Sequence, residues 1–176
     1  MKLQDLRKSS LTWLALLGVL FLAGCGFHLR EARPLPFKSL YLGISEQSEL
    51  GAALRREILA TGGTVLVDKP AEAQAILSVA SEGKEKSILS LNSAGRVREF
   101  LLRQRFVFRL HDNKGRDFIP QSQVLVSRDI SYSDTELLAK EAEEALLYRD
   151  MEKDLVQQIM RRLAAAQMQE AESGKR

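Results

Sequence analysis

Phe100-Leu101-Leu102-Arg103-Gln104-Arg105-Phe106-Val107-Phe108-Arg109-Leu110 decides the fold of this 176-residue chain. Phe100, Leu102, Gln104, Phe106, Phe108 and Leu110 fall on one side of an extended backbone, and Leu101, Arg103, Arg105, Val107 and Arg109 on the other. A period of two held this long is a β-strand with one face to a core and one to solvent or a polar partner.

Turn chemistry brackets the strand. Asn92-Ser93-Ala94-Gly95 precedes it and Asp112-Asn113-Lys114-Gly115 follows, each pairing an Asx side chain with a glycine free to take positive φ. Ala75–Leu91 and Gln123–Tyr132 are therefore predicted as its antiparallel neighbours. The first opens with Ile76, Leu77 and Val79 and carries Gly83, where a bulge or bend is expected. The second sets Val124, Val126, Ile130 and Tyr132 in register.

Upstream, Ser39–Ile44 reads as a short strand. Ser45 and Ser48 offer N-caps to a helix bearing Leu50, Leu54, Ile58 and Leu59, which Gly62-Gly63 stops, and Val65–Val67 is another short strand. Downstream, a helix starting at Asp134 or Thr135 runs to about Met168, with a stripe of Leu138, Ala142, Leu147, Met151, Leu155, Ile159 and Leu163. The order predicts an α+β fold: a two-layer sandwich of a mostly antiparallel four- to five-stranded sheet with two helices packed on one face. It forms one domain over residues 38–168, with a frayed polar tail over 169–176.

The first residues have a different logic. Lys2, Arg7 and Lys8 precede the apolar run Leu11–Ala23, the pattern of a secretory signal with an apolar core of roughly 7–15 residues. Glycines and then His28 and Arg30 end the run short of the about 20 apolar residues of a membrane span. Leu22-Ala23-Gly24-Cys25 resembles the lipobox of bacterial lipoproteins, and Cys25 is the only cysteine. The resemblance implies that residues 1–24 are a signal peptide cleaved after Gly24. Cys25 then takes a diacylglycerol on sulfur and an acyl chain on its freed amine. At about 0.8 kcal/mol per buried methylene, such chains together anchor a domain stably. Gly26, rather than an aspartate, resembles the signal for the outer membrane, with the domain facing the periplasm. Residues 25–37, with Pro34 and Pro36, read as a lipidated tether. Removing residues 1–24 takes out three bases and one acid, so the mature chain is near neutral and its precursor charge of +3 is no nucleic-acid signature.

Signs of catalysis are few. The histidines are His28 in the tether and His111 beside a turn; there is no metal-ligand spacing, nucleophile elbow or glycine-rich phosphate loop, so no enzyme, cofactor or metal is expected. Glu141, Glu143 and Glu144 read as a solvated helix face. The cations stand out: Arg103, Arg105 and Arg109 share one strand face, Lys84 and Lys86 alternate on the preceding strand, and Arg96 and Arg98 follow the hairpin turn. Guanidinium groups suit phosphate or carboxylate recognition. The competing reading of the same residues is a solubilising face that protects sheet edges from aggregation.

Two segments resemble the LptE family of lipopolysaccharide-assembly lipoproteins. One is Cys25-Gly26-Phe27-His28-Leu29-Arg30. The other runs through Ser131-Tyr132-Ser133-Asp134, Leu138-Ala139-Lys140-Glu141, Glu143-Glu144, Leu147, Arg149-Asp150-Met151, Gln158-Ile159 and Arg161-Arg162-Leu163. The resemblance implies an outer-membrane lipoprotein that partners the β-barrel LptD, plugs its lumen, assists its assembly, and binds lipopolysaccharide during delivery to the surface. Lys140 stands where the family has a basic residue linked to lipopolysaccharide binding. A second basic residue, in the hairpin turn of some members, is missing from Asn92–Gly95, and Arg96 and Arg98 are the nearest substitutes. Glu31 stands where many members have glycine. The expected ligand set is Lys140, Arg96, Arg98, Arg103 and Arg105. The alternative is a lipid-anchored scaffold subunit of another envelope complex, with its arginines merely solvated.

Overall fold

The computed structural model describes residues 34–45, 47–133 and 136–173, with side chains as far as residue 166. The chain runs β1 (Ser39–Gly43), α1 (Glu49–Ala60), β2 (Val65–Val67), a single 3-10 turn, β3 (Ala75–Leu91), β4 (Val97–His111), β5 (Asp117–Ser131) and α2 (Leu137–Ser173). The strands form one sheet in the order β2-β1-β3-β4-β5. The three long strands are antiparallel as expected, whereas β1 runs parallel to both β2 and β3, so the sheet is mixed.

Local chemistry explains the elements. Ser48 caps α1 by accepting from the Gly51 N–H at 3.1 Å. Both long hairpins turn in the same way: the Asn92 and Asp112 side chains each accept two backbone N–H groups, and Gly95 and Gly115 close the turns at φ of 75° and 84°. β5 starts six residues before its expected start and contains Pro120. Proline is tolerated because β5 is an edge strand, and a register irregularity between Phe108 and Leu110 lies opposite it.

The bulge in β3 is not at Gly83, which pairs regularly with Arg105; the irregularities fall between Val79 and Ser81 and between Ile88 and Leu91. The first reverses the facing of everything beyond it, since one extra residue swaps the two sides of a strand.

One core lies between sheet and helices. Leu40, Leu77, Leu102, Phe106, Phe108 and Leu110 meet Leu50, Leu54 and Ile58 of α1 and Met151, Leu155, Ile159 and Leu163 of α2, all fully buried. The helix-facing alternation of β4 is thus borne out. Leu35 and Phe37, expected in the tether, are core residues. Leu59 of α1 is exposed.

The α2 stripe needs correction at its start. Leu138 is 82% exposed and Ala142 is exposed; the sheet-facing positions of the first turns are instead Lys140, Glu144 and Tyr148, and apolar packing takes over from Leu147 and Met151. At its other end α2 continues to Ser173, past the expected Met168. No helix among the described residues is long and apolar enough to cross a membrane. Position 25, with the whole signal and lipobox, and the expected helix start at Asp134 or Thr135 lie outside the described residues.

Candidate functional site

Beyond Ser78, β3 has left β1 and only β3, β4 and β5 continue. The far end of this three-stranded extension, roofed by the first turns of α2, gathers most of the unusual surface. Ile88, Leu89 and Leu91 of β3 and Leu137, Leu138 and Leu146 of α2 are all exposed. A lone exposed leucine is unremarkable, but six of the nine large exposed apolar side chains among the described residues belong to this end.

Cations sit among them. Lys140 Nζ donates to Ser131 Oγ at 2.9 Å and lies 2.8 Å from a Glu143 carboxylate oxygen, with only 18% of its side chain exposed. Lys86 reaches Glu144 at 2.5 Å and lies 4.4 Å from the centroid of Phe100, whose ring meets Tyr132 edge-on at 5.3 Å. Arg98 lies 3.5 Å from Glu99, and the Ser90 hydroxyl donates to the same carboxyl and holds it below the usual carboxylate range. Arg96 fixes the turn through its backbone N–H, bonded to Asn92.

The open face of the sheet carries the other group. Arg103 lies 3.4 Å from Glu85, Arg105 is exposed with no side-chain partner among the described residues, and Arg109 is engaged by Asp117 and donates to the Gly115 carbonyl at 2.8 Å.

The two groups do not form one basic face. Strand alternation puts Arg98 on the side of Phe100, opposite Arg103 and Arg105. The bulge after Val79 turns Lys84 and Lys86 to the helix side, where Lys84 binds Glu49 at 2.9 Å. That contact holds Glu49 below and Lys84 above their ordinary values, the hydrogen bond leading in both. The nearby Glu152 carboxyl is pushed up by burial.

His111 is structural, its ring nitrogens 2.9 Å from Ser78 Oγ and 2.7 Å from the Asp112 carbonyl. Among the described residues, no group of three His, Cys, Asp or Glu side chains is placed to hold a metal ion. Cations beside exposed apolar and aromatic surface suit an amphiphile with an anionic head.

A family model described as LptE, lipopolysaccharide-assembly, matches residues 37–163. The chain belongs to the LptE family. Curated relatives agree over most of their length. The LPS-assembly lipoprotein LptE of Pectobacterium atrosepticum is 29% identical over 153 residues, covering 84% of this chain and 80% of that one. The protein of the same name from Photorhabdus laumondii is 28% identical over 163 residues, covering 90% and 87%. Among solved structures, lipoprotein B of Nitrosomonas europaea matches with a TM-score of 0.69 at 38% identity, over 80% of this chain and 91% of that one. Rare lipoprotein B of Shewanella oneidensis gives 0.63 at 26% identity, over 74% and 97%.

Of the residues expected to bind ligand in this LptE-family chain, Lys140 and Arg98 belong to the tip, with Arg96 at the adjoining turn, while Arg103 and Arg105 lie on the other side of the sheet. Lys86 was not among them, although it is joined to the roof of the tip through Glu144. A lysine in a mixed-charge strand carries no signal of this until the bulge is known.

Proposed function

We propose that this LptE-family chain is an outer-membrane lipoprotein, anchored by acyl chains on Cys25, which partners and plugs the β-barrel LptD. In this role it assists assembly of the barrel and the insertion of lipopolysaccharide at the outer-membrane surface. Family membership supports the assembly role. The observation that carries lipopolysaccharide binding is the tip, where Lys140 and Arg98 stand beside exposed leucines and isoleucine, matching the phosphates and acyl chains of lipid A. The open sheet face, with Arg103, Arg105, Ser127 and Asp129, suits the polar interior of an outer-membrane barrel. This divides the expected ligand set: tip cations for lipopolysaccharide, open-face arginines for the barrel wall.

Charge reversal tests the division. Lys140→Glu with Arg98→Glu is expected to weaken lipopolysaccharide binding and leave recovery of the barrel unchanged, whereas Arg103→Glu with Arg105→Glu does the opposite. Lipopolysaccharide binding untouched by the tip pair would refute the assignment and favour a lipid-anchored scaffold. The ion pairs of Lys140, Arg98 and Arg103 within the chain lend that second reading its support.

A further inference from the structure

We infer that Lys86 and Lys140 form a two-lysine cradle for a lipid A phosphate, and that Glu143 and Glu144 occupy the anion positions until the lipid displaces them. The inference rests on the lipopolysaccharide-binding reading above. It adds a cation from another strand and a built-in competitor.

Lys140 and Glu144 are one helical turn apart on α2 and share its sheet-facing side. Lys140 is held by Ser131 and Glu143, and Lys86, rising from β3, is held by Glu144. The cradle thus pairs two lysines with two carboxylates, whose charges balance. Neither lysine is a loose surface cation: the side chains of Lys140 and Lys86 are 18% and 36% exposed, and Lys86 lies over the Phe100 ring. Holding both in place lowers the entropic cost of binding.

A phosphate carries more negative charge than a carboxylate and offers three acceptor oxygens, so it outcompetes glutamates for the same ammonium groups. Glu143, 48% exposed, swings readily to solvent, whereas Glu144, 24% exposed on the sheet-facing side, gives way by turning about its own side-chain bonds. The neighbouring Ile88, Phe100 and Leu137 supply apolar surface for the acyl part of the ligand. A soluble phosphate would gain nothing from that surface.

Equilibrium binding of the full chain to lipopolysaccharide, to the same lipid stripped of its phosphates, and to phosphatidylglycerol vesicles tests the inference. Lys86→Gln is expected to weaken binding of the phosphorylated lipid about five- to tenfold, as loss of one charge-assisted contact would. Lys86→Arg retains binding. Glu143→Gln with Glu144→Gln tightens it about threefold or more by removing the competitors. The stripped lipid is insensitive to all three changes. Lys86→Gln binding like wild type while Lys140→Gln binds weakly would overturn the cradle and leave the lipopolysaccharide reading standing. No binding by the wild type would end both. An equal loss with the stripped lipid, or an equal Lys86 dependence on phosphatidylglycerol, would also overturn the inference, because the lysine would then not be reading lipid A phosphate.

Discussion

Lys140 in the first turn of α2 donates to the hydroxyl of Ser131, the last residue of β5, at 2.9 Å. The corner between the final strand and the closing helix is therefore tied by the cation assigned to ligand binding. A structural and a binding role must be separated at this residue. Lys140→Gln removes the ion pair to Glu143 but can keep a hydrogen bond to Ser131. Partly exposed pairs of this kind contribute at most about 1 kcal/mol, so urea unfolding is expected to show a loss no larger than that. A loss above about 3 kcal/mol would make Lys140 a keystone of the fold, and binding defects at this position would then report unfolding.

Gln104 offers the opposite kind of prediction. It lies on the core face of β4, 1% exposed, between Lys84 and Val126 on the neighbouring strands, and its Oε1 has no hydrogen-bond partner among the described residues. A buried acceptor left unpaired costs about 1–3 kcal/mol. Gln104→Met keeps the length and removes the acceptor, so the variant is expected to be more stable by about 1 kcal/mol in urea. A destabilised variant would mean that the amide is satisfied in solution.

The two hairpin turns form an internal control for pH. The Asp112 carboxyl is held below the ordinary aspartate value, chiefly by the Arg116 backbone N–H, then by that of Lys114. A depressed folded-state pKa adds stability above the unfolded value and loses it as pH falls through the folded one. This part of the stability is therefore present at neutral pH and is lost below about pH 4. Asn92 makes the same turn with an uncharged amide. Asp112→Asn should keep the turn and flatten the acid limb of a stability–pH profile. An unchanged limb would show that the Asp112 carboxylate adds nothing to acid stability.

Along α2, position decides the consequence of losing a leucine. Leu155 is fully buried, and Leu155→Ala is expected to cost about 2–5 kcal/mol. Leu138 is 82% exposed, so Leu138→Ser should stay within about 0.5 kcal/mol of wild type while reducing lipopolysaccharide capture. Equal melting losses for the two would place Leu138 in a packed environment and remove it from the interaction surface.

These contrasts also mark how far the sequence could be read. The β4 alternation, the Asx-Gly turns and the leucine spacing of α1 were legible because each follows from local geometry, and they sufficed for an α+β sandwich. The parallel pairing of β1 was not legible, because a five-residue strand carries no sign of its partner's direction. Pro120 hid the start of β5, since proline breaks a central strand but not an edge one. At the candidate site, Lys140 was singled out through family resemblance, whereas Lys86 lay outside the expected ligand set. The irregularity after Val79 gives no sequence signal, yet it alone decides that Lys86 faces α2 rather than the arginines. The first turns of α2 looked like core because Leu138 and Ala142 kept the apolar spacing; the sheet beneath them is instead met by Lys140, Glu144 and Tyr148.

Affinity purification of the full-length chain from gently solubilised outer membranes tests the central claim most directly. The account predicts that wild-type protein, carrying acyl chains on an N-terminal Cys25, brings down the large β-barrel LptD, and that Cys25→Ser loses its place in the membrane fraction. An uncleaved, unmodified N-terminus, or acylated protein recovered with no β-barrel, would contradict it.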